Sequence, residues 1–172
     1  MTPDYTKVAS YDVRSYLWAR LQAAGLLTAS NYIADGFEIP LVPIIPAQQV
    51  PEFNNLLAGR TYIIYDVAQS RARNTNFWAS EESITFEVVS KNAAEIQTLV
   101  NFITDEFRRY EKSALDVNVS MASTSKFSFL WFALESADPV QSYQNEGGFM
   151  TGLVTIKYAY TREVDGITGK YL

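Results

Sequence analysis

The sequence predicts an α+β fold: a mainly antiparallel four-stranded sheet with two helices packed on one face, plus a proline-rich arm. Three observations predict it. Residues 10–27 and 92–111 repeat apolar side chains at helical spacing. Residues 61–67, 84–89, 127–134 and 153–161 are dense in β-branched and aromatic residues, the signature of strands. Between the first helix and the first strand, Pro40, Pro43, Pro46 and Pro51 forbid a helix or a central strand through most of the segment.

Each element has its own reason. In the first helix Ser10 or Asp12 serves as cap, and Val13, Leu17, Leu21 and Ala24 make one stripe with Tyr16 beside it. Gly25 offers the stop. Arg14 and Trp18 lie off that stripe, and Trp18 belongs either to a second contact surface or to the core edge under the next segment. Residues 28–59 are the arm. Within it, Phe37-Glu38-Ile39 and Leu41-Val42 read as a short edge strand, and residues 51–57 as one or two helical turns opened by Pro51. A long apolar segment without regular structure is unusual inside a compact monomer. The arm therefore lies against a neighbouring subunit or wraps its own core.

Residues 61–67 form the next strand, followed by a polar projecting loop, residues 68–83, that carries Arg71, Arg73, Asn74, Asn76 and Trp78. In residues 84–89, Ile84, Phe86 and Val88 alternate with Thr85, Glu87 and Val89, which makes a half-buried strand and closes a long-looped antiparallel hairpin. The second helix has Asn92 as cap, Glu95 in a capping-box position, and Ile96, Leu99, Val100, Ile103, Phe107 and Tyr110 along one stripe. Arg108, Arg109 and Lys112 near its end complement the helix dipole on a solvated face or, alternatively, meet an acidic partner. After a polar stretch, residues 127–134 are apolar on both faces and suit a central strand. Residues 137–148 are a polar loop containing Tyr143, and the last strand sets Val154, Ile156, Tyr158 and Tyr160 on one face. Residues 162–172 form a polar tail. Residues 1–172 read as a single structural domain, without internal repeat or dividing linker.

Composition narrows function further. The chain has 172 residues, 48% of them hydrophobic and 14% aromatic, enough to bury a sizeable core. Its 11 Tyr, 10 Phe and 3 Trp exceed the usual needs of such a core and point to an assembly interface, or else to an aromatic-rich interior. There is no His and no Cys, which removes disulfides, Cys–His and Ser–His–Asp systems and any imidazole or thiolate metal site. Net charge is −5, with Lys and Arg scattered, a poor footprint for gripping phosphates. No stretch approaches the ~20 apolar residues of a membrane span. The N-terminus lacks the form of a signal peptide, so the protein is expected to stay where it is made.

Motifs with chemical meaning are weak. Gly147 and Gly148 follow no strand and precede no Lys-Ser/Thr pair, so they are not a phosphate loop. Glu81-Glu82 and Asp105-Glu106 are adjacent acids, expected in a loop and on the polar side of a helix. Lys126 and Lys157 read as ordinary edge protection. The sequence calls for no cofactor and reads as a structural subunit rather than an enzyme.

The order of elements is the remaining clue. A capped helix is followed by a proline-rich crossing that ends in Pro51-Glu52-Phe53. Then come the strand 61–67, an arginine-bearing loop, the strand 84–89, a long helix, an aromatic strand and a long final strand. This order resembles the tail terminator (tail completion or neck) proteins of long-tailed bacteriophages. The resemblance covers most of the chain and rests on architecture, with no short diagnostic motif. It implies a virion protein, made in the host cytoplasm, whose hexameric ring caps the tail tube. The ring would join the head-completion (stopper) complex and let DNA pass through its lumen without specific binding. Trp18, Arg71, Arg73, Trp78 and Tyr143 are the candidate interface residues, with tube protein, stopper and, in a contractile tail, tail sheath as partners. The long apolar arm departs from the family pattern. Another connector, tube or baseplate subunit, or a small α+β binding module, is the alternative.

Overall fold

Helix α1, Ala9–Ala23, buries the stripe its spacing lays out, with Val13, Leu17 and Leu21 fully enclosed and Tyr16 beside them. The computed structural model describes residues 7–27, 30–34, 37–50, 57, 59–69, 79–141 and 148–163. Val8 takes the N-cap position of α1 without a side-chain bond. Of the expected caps, Asp12 does other work: it lies in the first turn and accepts from Ser125 Oγ at 2.5 Å. Gly25 does end the helix. At φ 66° its N–H donates to Gln22 C=O, and the Leu26 N–H reaches back to Leu21 C=O, the paired bonds of a Schellman stop.

The expected four-stranded sheet is corrected to five strands, in the order β3-β4-β5-β7-β6. These are β3 (Ile44–Pro46), β4 (Tyr62–Gln69), β5 (Ala79–Ser90), β6 (Phe127–Gln141) and β7 (Met150–Arg162). The sheet is mixed, because β3 runs parallel to β4 while the other pairs are antiparallel. Part of the expected irregular arm is therefore regular. Ser30–Ala34 (β1) and Phe37–Leu41 (β2) form a separate antiparallel hairpin, β3 joins the main sheet, and Ala47–Gln49 is a single 3₁₀ turn. Prolines are tolerated there because β3 is a three-residue edge strand, where a missing N–H breaks no inner ladder. The turn expected at residues 51–57 lies outside the described residues except for Leu57, which is buried with Leu41 and Ile45.

Among the described residues three helices, not two, cover the sheet on one side. Helix α2 spans Ala93–Phe107 and α3 spans Glu111–Met121. The expected helix through residue 111 breaks at Tyr110, and what read as a polar stretch is α3. Asn92 caps α2 as its sequence predicts, its side chain accepting from the N–H groups of Ala94 and Glu95. Glu95 does not complete the capping box. Its carboxylate accepts from Thr61 Oγ1 at 2.6 Å and from Ser90 Oγ at 2.9 Å, tying the helix start to the ends of β4 and β5. Close approach of α2 to the sheet depends on Gly152. A Cβ there would lie 2.6 Å from Ile96 Cγ2 and 2.8 Å from Val100 Cγ2.

Residues 127–134 are apolar on both sides for a reason other than the expected central position: β6 is an edge strand. The register slips between Phe129 and Trp131, so Leu130 has no partner on β7. This bulge resets the alternation. Phe127 and Phe129 before it, and Phe132 after it, are all buried, while Leu130 and Leu134 are exposed. The expected loops are shorter than read, because β4, β5 and β6 extend into them.

Much of the aromatic excess goes into the interior. Tyr16, Phe86, Phe107, Phe129, Phe132 and Tyr158 form a chain of ring contacts with centroids 5.2 to 6.3 Å apart. Trp18 packs half-buried against the same core.

Candidate functional site

Most polar groups inside the described fold are paired, and their pairings are ties between elements; the buried Thr104 Oγ1, on the groove-lining side of α2, has no hydrogen-bond partner among the described residues. Glu106 of α2 was expected on a solvated helix side, yet it is buried. It accepts from Tyr16 Oη at 2.8 Å and from the Arg20 guanidinium at 2.9 and 3.1 Å. Burial, reinforced by the bond to this carboxylate, pushes the Tyr16 hydroxyl well above its ordinary pKa.

Glu81 and Glu82 are likewise not in a loop. Both lie in β5, where alternation sends them to opposite faces. Glu82 accepts from Tyr158 at 2.7 Å and Tyr160 at 2.6 Å, and burial raises both hydroxyls far above the usual tyrosine range. Glu81 is buried beside Lys157, 3.7 Å away. Lys157 thus sits in the inner strand β7 rather than protecting an edge. Burial also raises the Asp12 carboxyl, an effect that the bond from Ser125 and the charge of Lys7 oppose.

These carboxylates are scattered through the fold. Among the described residues no three of His, Cys, Asp or Glu gather as a metal-binding group. An open groove of about 450 Å³ lies between the end of α1 and the outer side of α2, lined by Leu26, Thr98, Asn101, Phe102, Asp105 and Arg108. It holds one salt bridge, Arg108 to Asp105 at 2.7 Å, and no convergent acid–base pair. The cations at the end of α2 are matched locally: Lys112 meets Asp116 at 2.9 Å, and Arg109 lies 3.6 Å from Asp116 and 3.8 Å from Glu106. Such exposed pairs contribute little stability, but they leave no concentrated positive charge for an acidic partner.

The surface departs from an ordinary solvated one along α3 and β6. Val119 is 70% exposed and Leu115 59%, one helical turn apart, with Tyr110, Leu130 and Leu134 also exposed. They lie on neighbouring elements, since α3 packs alongside β6. The Tyr110 ring stacks on Trp131 with centroids 5.6 Å apart and planes 5° from parallel. Asn118, between Leu115 and Val119, bonds the backbone of Phe129 next to Leu130. Contiguous exposed apolar surface marks a contact site more often than isolated exposed residues do.

The backbone beneath this strip is already occupied. Asn118 Nδ2 donates to Phe129 C=O and Asn118 Oδ1 accepts from Phe129 N–H, both at 2.8 Å, so one side chain stands in for a neighbouring strand. Phe127 N–H donates to Ser125 Oγ at 2.9 Å, and Phe132 N–H to Tyr110 C=O at 3.4 Å. Sheet edges attract other chains unless they are covered. Here the first half of the β6 edge is covered by the chain's own α3, and the strip offers side chains rather than backbone.

Of the five interface residues named from sequence, Trp18 lies at the core rim, and Arg71, Arg73, Trp78 and Tyr143 lie outside the described residues. The strip went unnoticed in the sequence because its positions are interface candidates only once α3 exists. The spacing of Leu115 and Val119 was the available signal. Comparison with protein-family models finds no match, and comparison with curated proteins finds no similar chain.

Proposed function

We propose that the chain is a structural subunit of a long-tailed bacteriophage virion, a tail terminator whose hexameric ring caps the tail tube and meets the head-completion complex. The observation that carries this reading is the order of elements around one sheet. A helix leads through a proline-rich crossing to an antiparallel pair, then a helical layer, then a second antiparallel pair. The exposed strip along α3 and β6 supports it, since a ring subunit needs apolar surface that a lone globule does not. The polar clusters support it too, because among the described residues they tie elements together. In this reading tube protein, stopper and, in a contractile tail, sheath are the neighbours, and DNA passes through the lumen of an acidic ring.

Copy number in assembled particles tests the proposal. Cryo-EM of intact particles should place a single ring of this chain between the tube and the neck. Density repeated along the tube would make it a tube subunit instead, and particles lacking the chain would end the virion reading altogether.

A further inference from the structure

Residues 93–121 contain neither glycine nor proline, and nothing in their sequence calls for a bend. The stripe of α2, Ile96, Leu99, Ile103 and Phe107, continues at three- and four-residue steps through Tyr110, Ala114, Val117 and Met121. One unbroken helix would satisfy that pattern. The chain instead turns at Tyr110, with φ 51° and ψ −115°. That is the conformation of the first central residue of a type II′ turn, where glycine alone sits without strain.

A tyrosine is held there by its surroundings. Its ring lies on Trp131, and its carbonyl accepts from Ala114 N–H at 3.3 Å and Phe132 N–H at 3.4 Å. Ser113 Oγ donates to Glu106 C=O at 2.6 Å and accepts from Arg109 N–H at 3.3 Å, taking up backbone groups at the broken helix end. Strain of this kind persists only where neighbouring contacts enforce it, and it gathers at switching segments.

We infer that Tyr110 is a strained hinge, and that α3 is a cover that swings off the β6 edge when α2 and α3 merge into one helix. The cover is light, with Ser113, Ala114 and Val117 as its buried residues. Opening relieves the Tyr110 backbone and frees Asn118 from Phe129. It bares the Phe129 and Phe132 backbone, a row of donors and acceptors that fits an extended polypeptide segment. The hinge does not depend on the ring reading.

Residue-resolved amide exchange on the full chain tests it. In the native protein the Phe129 and Phe132 amides should exchange together, about tenfold or more faster than those of Val154 and Tyr158 in β7. Tyr110→Ala and Tyr110→Gly both remove the ring, but only glycine relieves the backbone. The Phe129 and Phe132 amides should therefore exchange about tenfold more slowly in Y110G than in Y110A. These amides report the local opening, which does not pass through the unfolded chain where glycine acts globally. Equal edge exchange in the two variants, or native edge amides no faster than those of β7, would overturn the hinge.

Discussion

Strand β7 has a neighbour on each side and pairs with them differently. Against β5 it runs twelve pairs without interruption, from Ala79 opposite Thr161 to Ser90 opposite Met150. Against β6 the register slips three times. The regular side is the centre of the sheet, where Ile84, Phe86, Val154 and Ile156 are fully buried under the helices. A one-residue slip there would turn every one of those side chains away from the core. On the irregular side each slip costs little and also disrupts the edge as a template for other chains. The centre holds the fold together, and the edge governs what the fold can touch.

Substitutions should separate the two regions by size of effect. Phe107→Ala is expected to be the largest, about 4 kcal/mol of lost stability in chemical unfolding. Phe107 is fully buried and its ring meets Tyr16, Phe86 and Phe132. A loss below about 1 kcal/mol would mean that the centre is not the anchor argued here. Gly152→Ala should follow with about 2 kcal/mol, since the new methyl collides with two stiff branched side chains. Asn118→Ala removes two bonds from an edge that water can reach, and about 1 kcal/mol is expected. Should it cost as much as Phe107→Ala, the contrast between centre and edge would be wrong.

The smallest effect concerns the face of β5 turned away from the helices. Glu87 lies there between Ile64 and Leu153 on the neighbouring strands, and burial raises its carboxyl above the ordinary 4.5. The folded chain therefore binds this proton more tightly than the unfolded one. The associated stability is complete below pH 4.5 and is lost as pH rises through the folded-state value. Glu87→Gln keeps the neutral form at every pH. The variant should unfold at higher denaturant near about pH 7 and match the parent in acid. A constant offset across the pH range would show that the carboxyl charge is not the cause.

The parts of the fold that were legible in the sequence are those specified locally. Asn92 and the stripe from Ile96 to Phe107 announce α2, Gly25 announces the end of α1, and Val154, Ile156 and Tyr158 announce one face of β7. Strand β3 was hidden because parallel pairing leaves no turn signal and Pro43 and Pro46 argue against a strand. Helix α3 was hidden because its buried side is small and partly polar, Ser113, Ala114 and Val117. Glu82 and Glu106 looked solvated because their partners, Tyr158 and Arg20, are 76 and 86 residues away. Asn118 gave no local sign at all, since its role exists only once β6 lies beside it.

The fastening of α1 has a consequence for how the protein is made. Its polar anchors, Glu106 for Tyr16 and Ser125 for Asp12, lie 90 and 113 residues downstream. Helix α1 therefore cannot complete its polar anchoring until Ser125, 113 residues after Asp12, has been synthesised. Its apolar side, Val13, Leu17 and Leu21, stays uncovered through that interval. Helix α1 is thus a segment that calls for a chaperone's hold during translation.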